Sequence, residues 1–221
     1  MTYLQTYSSP LGEFLLAADE TGLTGAWFEG QKYFARTLTG ERIERETSVL
    51  AEAKRWLDRY FSGEAPDRLP PLHPQGSDFQ KAVWELLVRI PYGRTMTYGE
   101  LAAALAVQQG RERMSAQAVG GAVGHNPISV IVPCHRVVGA SGSLTGYAGG
   151  VGRKMELLAL EGADMSHLFV PKKGTACEKQ HYDRAVQEKG SRMARLIFYS
   201  EPGVFPLFFM SFARGKTTQN R

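Results

Sequence analysis

A chain of 221 residues, 43% hydrophobic and 22% charged, can bury a sizeable core as one large domain or two small ones, which excludes a disordered or fibrous class. Its two cysteines, Cys134 and Cys177, are too few for a disulfide framework, and the absence of a signal-like N-terminus or a membrane-length apolar run leads us to expect a cytoplasmic protein. The net charge of +4 is a weak pointer to nucleic acid, because residues 171–221 hold ten Lys or Arg against four Asp or Glu.

In chain order, Tyr3 to Tyr7, Glu13 to Ala18 and Gly22 to Phe28 alternate with turn-forming pieces and predict a small antiparallel sheet. Val49 to Phe61 carries apolar residues at helical spacing, with Gly63 as a stop. Residues 66–76 contain Pro66, Pro70, Pro71 and Pro74, which no helix or central strand tolerates, so they read as a linker between an N-terminal domain (1–65) and a second domain (77–165).

The second domain opens with Ser77 or Asp78 as a cap and Phe79, Val83, Trp84, Leu87 and Val88 on one helix face. Thr97 and Glu100 form the pattern of a capping box for a helix through Ala106, and a further helix is expected from Met114 or Ser115 to Val123. Two short helices joined by a polar turn are compatible with a helix-turn-helix, and the small residues Ala116, Ala118, Gly120, Gly121, Ala122 and Gly124 suggest close packing. Between Arg89 and Lys154, the cations Arg89, Arg94, Arg111, Arg113, Arg136, Arg153 and Lys154 face only Glu100 and Glu112, so a basic surface is expected there.

Ile128 to Val132 is short, β-branched and bounded by Pro127 and Pro133, and reads as a buried strand or extended segment. Cys134 and His135 follow it directly. Strand neighbours point to opposite faces, so this pair can work together only if the chain bends or turns helical after Pro133. Gly139 to Gly152 is a glycine-rich loop around Tyr147, suited either to close approach of a ligand or to a mobile surface. Arg153 to Leu160 predicts a last helix, ending at Glu161-Gly162. Residues 166–221 read as an extension, disordered or sticky, in which Cys177 and His181 are more readily an exposed thiol and its neighbour than half a metal site. His73, His125 and His167 have no convincing partners in the sequence.

Pro133-Cys134-His135-Arg136-Val137, with Asn126-Pro127-Ile128 before it and Gly146-Tyr147-Ala148-Gly149-Gly150 and Leu157-Leu158-Ala159-Leu160-Glu161-Gly162 after it, closely resembles the methylated-DNA:protein-cysteine methyltransferases. The likeness is strong from Ser77 to Gly162 and weaker before it. It implies a ribonuclease-H-like α/β N-terminal domain and a mainly α, winged helix-turn-helix-like second domain. This second domain would bind the minor groove of double-stranded DNA and flip O6-alkylguanine, and O4-alkylthymine, into a pocket around the cysteine.

By the same resemblance, Cys134 takes the alkyl group, His135 is the water-linked base that keeps the thiol ionised, and Glu161 orients His135. Asn126 is a hinge, and Tyr98 protonates the departing guanine. Val137, Tyr147, Ala148 and Gly149 line the pocket, while Arg94, Arg113, Ser115, Gln117 and Ala118 face DNA. Arg136 is expected to brace the fold. The family usually places an arginine where this chain has Gln117, so either Arg113 substitutes for it or base extrusion is less supported. No cofactor or metal is implied, and a monomer is expected.

A free cysteine is only roughly 3% thiolate at neutral pH, so full ionisation gains about 30-fold, or ~2 kcal/mol. In-line alignment and protonation of the leaving base have to supply the rest. The thioether product lacks a hydrolysable carbonyl, which implies a single turnover. Three rivals stand beside this reading: an inert buried cysteine, a thiol hydrolase using the same Cys and His, and a DNA-binding alkyltransferase-like module. The last is disfavoured because such modules replace the cysteine with tryptophan.

Overall fold

The computed structural model describes residues 1–171. Three strands, β1 (Thr2–Ser9), β2 (Gly12–Ala18) and β3 (Leu23–Phe28), form the expected antiparallel meander, with Tyr3 opposite Ala18 and Phe14 opposite Phe28. No pattern in the sequence marks the fourth strand, β4 (Arg42–Glu44). It runs parallel to β1 and makes the sheet mixed, in the order β3-β2-β1-β4. Helix α1 (Ser48–Phe61) is capped by Thr47 and turns Leu50, Ala53, Trp56, Leu57 and Tyr60 inward. Phe14 and Phe28 of the sheet join that buried stripe in one apolar core.

The proline-rich stretch does not hang free. Leu23 N donates to Pro71 O at 2.7 Å and His73 N donates to Leu23 O at 2.8 Å, so this stretch lies along the outer edge of β3. His73 also meets Asp19 at 2.6 Å, a partner 54 residues away that sequence spacing could not reveal.

Helix α2 (Asp78–Val88) begins with a complete capping box between Ser77 and Gln80. After β5 (Met96–Thr97), helix α3 (Tyr98–Gln108) begins with the Thr97–Glu100 box that the sequence predicts. Ser115 caps α4 (Ala116–Gly124), whose buried residues are Val119, Ala122 and Val123. The Trp84 indole fixes α2 to α4 by donating to Ala122 O at 2.9 Å. The small residues of α4 serve two ends: Gly120 lies under the Tyr98 ring, while Gly121 and Gly124 face open space. A single 3-10 turn, Cys134–Arg136, leads into β6 (Val137–Val138), which runs parallel to β5, and α5 (Val151–Leu160) follows.

Two expectations are corrected. Ile128 to Val132 is buried but is not a strand. It makes one bridge, to Ala26, and then turns, with Val132 N donating to Ile128 O at 3.0 Å and Val130 at φ 72°. The expected basic surface shrinks as well. Arg136 and Lys154 are buried, and Arg153 is half-buried, reaching back to Leu11 O at 3.0 Å, so Arg89, Arg94, Arg111 and Arg113 are the members of that set left exposed.

Residues 166–171 of the predicted extension pack onto the glycine-rich loop, with Leu144 N donating to Phe169 O at 2.8 Å and Phe169 N donating to Gly142 O at 3.1 Å. Gly142 sits at φ +84°, where an added Cβ would stand 2.2 Å from His167 O. Cys177, His181 and the apolar run at 207–212 lie outside the described residues.

Trp84→Phe removes the indole donor to α4 and some buried ring volume, and it should cost about 1–2 kcal/mol. Urea unfolding should show a lower midpoint at unchanged slope.

Candidate active site

The 3-10 turn at Cys134–Arg136 answers the geometric question posed by the sequence. Successive side chains in such a turn point about 120° apart rather than to opposite faces, so the thiol and the imidazole can serve one site. Cys134 is 5% exposed, and the group bonded to its sulfur is the Asn126 amide, with Nδ2 at 3.1 Å from Sγ. The same Nδ2 reaches Val132 O at 2.8 Å and Ile128 O at 3.2 Å, while Asn126 Oδ1 accepts from Ile128 N at 2.9 Å. One amide side chain thus closes the turn that delivers the cysteine. Burial pushes the Cys134 thiol above its ordinary value, against the opposing pull of the Asn126 hydrogen bond and the Lys154 charge. Burial thus works against the standing thiolate that the resemblance implies.

His135 is fully buried, with Nε2 at 2.7 Å from Glu161 Oε1 and Nδ1 without a hydrogen-bond partner among the described residues. Burial lowers its pKa despite the adjoining carboxylate, which keeps the imidazole neutral. Burial alone would raise Glu161, but the hydrogen bonds and charges of His135 and Arg136 overcome it and hold the carboxyl at about 2. An ionised carboxylate only accepts, so Nε2 carries the ring hydrogen and Nδ1 is left as an acceptor.

Arg136 grips the same carboxylate with two nitrogens, at 2.8 Å and 2.9 Å, and donates to Ile90 O at 2.6 Å, so it braces the fold as the sequence predicts. Gly93 N donates to Glu161 Oε2 at 3.0 Å, and Tyr60 Oη donates to Oε1 at 2.7 Å.

Tyr98 Oη donates to Thr145 O at 3.2 Å, and burial followed by the charge of Cys134 pushes this phenol up to about 12. Gly146, at φ +78°, permits the approach, since a Cβ there would stand 2.5 Å from the phenol oxygen. Among the expected pocket residues, Tyr147 is buried edge-on to His135 with centroids 6.3 Å apart. The carbonyls of Ala148 and Gly149 accept from Lys32 N at 3.0 Å and from Arg153 at 3.2 Å. Arg113, Ser115, Gln117 and Ala118 are all exposed around the start of α4, as is Arg94 on the loop after α2.

Two residues of this site escaped the sequence reading. Lys154 is fully buried and donates to Val137 O at 2.5 Å and Thr145 O at 3.0 Å, and its burial lowers the ammonium to about 8. Its signal was helical phase, since Lys154, Leu157, Leu158 and Glu161 recur at the spacing of one inward face. Tyr60 continues the inward stripe of α1, and a buried phenol needs a partner.

The site thus pairs a buried thiol with a neutral imidazole that can take up a proton, a carboxylate that would stabilise the resulting cation, and a phenol able to give a proton. The ribonuclease-like domain of 6-O-methylguanine DNA methyltransferase matches residues 2–69, and the DNA-binding domain of the same proteins matches residues 78–163. A methylated-DNA–protein-cysteine methyltransferase of Methanosarcina acetivorans is 46% identical over 162 residues, covering 73% of this chain and 99% of the relative. One of Mycobacterium tuberculosis is 43% identical over 162 residues, covering 73% and 93%. The crystal structure of Mycobacterium tuberculosis OGT in complex with DNA is similar at a TM-score of 0.63 and 41% identity, over 72% of this chain and 92% of that one.

What the fold and site define is a cysteine-dependent group acceptor joined to a DNA-binding domain. The chain belongs to the 6-O-methylguanine DNA methyltransferase family.

Glu161 titrates below its ordinary value of 4.5, so the stability it contributes is complete above that pH and is lost as pH falls toward about 2. Denaturation midpoints should fall over this window. Glu161→Gln should flatten the dependence and cost about 3–5 kcal/mol, because Arg136 is left buried without its counter-charge.

Proposed function

We propose that this protein repairs DNA by moving the alkyl group from O6 of guanine to Cys134 Sγ, once per molecule. The observation that carries the reading is the neutral His135, anchored to Glu161 through Nε2 and presenting Nδ1 as a buried acceptor next to the cysteine in sequence. In this reading residues 77–165 hold the DNA and perform the chemistry, and residues 1–65 brace them. One chain supplies every group named here, which supports a monomer, and a free Cys134 suits a reducing compartment such as the cytoplasm.

The duplex docks on the exposed start of α4, and the damaged guanine leaves the stack, since a thiol only 5% exposed cannot reach into intact DNA. As Sγ attacks the alkyl carbon, the S–C bond forms and the C–O6 bond breaks. The thiol proton passes to His135 Nδ1, across a bridging water, and Glu161 stabilises the imidazolium. Guanine departs with the bond electrons and takes a proton from Tyr98 Oη. The proton on His135 then returns by way of solvent to the Tyr98 phenolate, which restores both groups.

Proton transfer during attack replaces a standing thiolate, so the raised thiol is compatible with reaction. The stable thioether left on Cys134 supports a single turnover.

Incubation with duplex DNA containing O6-methylguanine should add one CH2 unit to Cys134, read by intact mass and peptide mapping. Cys134→Ala should bind the same DNA without gaining mass. More than one methyl removed per protein would overturn the single-use reading. Gln117 stands where the family usually carries arginine, so Gln117→Arg should speed transfer from duplex DNA several-fold and leave the rate with free methylated base unchanged. Rapid-quench measurements on the two substrates separate these effects.

A further inference from the structure

We infer that Tyr60, on the N-terminal helix α1, is a positioning residue for the methyl transfer, its hydroxyl limiting how strongly Glu161 pulls on His135. The inference rests on the function proposed above. It starts from a crowded atom. Glu161 Oε1 accepts from His135 Nε2 at 2.7 Å, from Tyr60 Oη at 2.7 Å and from Arg136 Nη2 at 2.9 Å. Donors sharing one oxygen divide its charge, so each is held less strongly than it would be alone. Tyr60 Oη also stands 3.4 Å from His135 Nε2, close enough for the phenol and the imidazole to compete directly for the same lone pairs.

The phenol is held where that competition is permanent. Its ring stacks on Trp56 at 5.3 Å and meets Tyr92 edge-on at 6.0 Å, and Tyr60 is fully buried. Burial, followed by the charge of Glu161, pushes its pKa far up, so it stays a donor at every working pH.

The consequence falls on His135 Nδ1. A carboxylate free to concentrate on Nε2–H would make the imidazole more basic and favour the protonated ring. A protonated His135 has no acceptor for the thiol proton, so transfer would fail at the acid end of the pH range. The other charged or titratable groups facing His135 are Arg136 beside it, Lys154 on α5, Cys134 before it and Tyr147 on the glycine-rich loop. Tyr92 faces Glu161 from the far side. Arg136 and Lys154 also disfavour the imidazolium, and Tyr60 adds to them without adding a charge.

Tyr60→Phe keeps the ring and deletes the donor. The second-order rate of methyl transfer by the full chain, measured from acid to alkaline pH, should show its acid limb displaced upward by roughly half a unit or more, with an approximately threefold loss of rate on that limb. A rate lowered equally at all pH values, or an unchanged profile, would overturn the inference, since a packing defect alone does not move the limb. 3-Fluorotyrosine at position 60, a stronger donor, should move the limb downward, and it serves as well if the phenylalanine variant does not fold. Nitrogen NMR of the His135 ring in unreacted protein reads the same shift without any transfer. A wild-type protein that takes no methyl would sink the proposed function, and an unshifted ring in both variants would sink the role of Tyr60.

Discussion

The buried carboxylate of Glu161 is the constraint around which the rest of the site is arranged. Placing an ion in an apolar interior costs several kcal/mol unless its lone pairs and charge are met. Here they are met by Tyr60 from α1, by Gly93 from the loop after α2, and by His135 and Arg136 from the 3-10 turn. Arg136 supplies the counter-charge. Gly93 supplies a backbone donor at φ +71°, where an added Cβ would stand 2.7 Å from the carbonyl of Glu161 itself. Three chain segments far apart in sequence thus converge on one residue at the end of α5, and the orientation of the imidazole follows from that convergence.

A second frame, built from Asn126 and Lys154, holds the thiol and the phenol. Beyond the one bridge from Ile128 to Ala26 of β3, residues 128–132 have no ladder, and the Asn126 amide satisfies Ile128 and Val132 and reaches the sulfur as well. The non-glycine Val130 at φ 72° is strained backbone, of order 1–3 kcal/mol, and persists because the turn around it is closed from both sides. Lys154 holds the carbonyls of Val137 and Thr145, and Thr145 O also accepts from Tyr98. On the proposed chemistry, the nucleophile, the base and the proton donor are therefore each placed by a different buried polar side chain.

What could be read from sequence was local. The Thr97–Glu100 capping box forms within one helical turn, so its spacing sufficed, whereas for α2 the sequence left Ser77 and Asp78 open as the cap and the box with Gln80 shows it to be Ser77. The bend after Pro133 followed from the need to bring adjacent residues to one site. Ile128 to Val132 was misread because β-branched residues look alike in a strand and in a buried turn, and only the amide of Asn126 tells them apart. Lys154 looked like surface because lysine is almost never fully buried, although its helical phase matches that of Glu161. The link from Tyr60 to Glu161 spans 101 residues and rests on tertiary packing that no local pattern encodes. The motif around Cys134 showed which residues matter, whereas the protonation state of the sulfur depended on burial.

On the proposed chemistry, that burial bears on how a nucleophile meant for one use survives until it is used. An exposed, ionised thiolate would react with oxidants and stray electrophiles as readily as with a lesion. Cys134 is instead 5% exposed, bonded to an amide and pushed toward the thiol by burial, and His135, the proposed base, is held neutral by its own burial. Burial makes the sulfur less reactive at rest. The same burial strengthens the electrostatic help from Glu161 once a proton reaches the imidazole, because the local dielectric is low. On the proposed chemistry, a single feature of the fold protects the cysteine and concentrates its reactivity on a base that has entered the pocket.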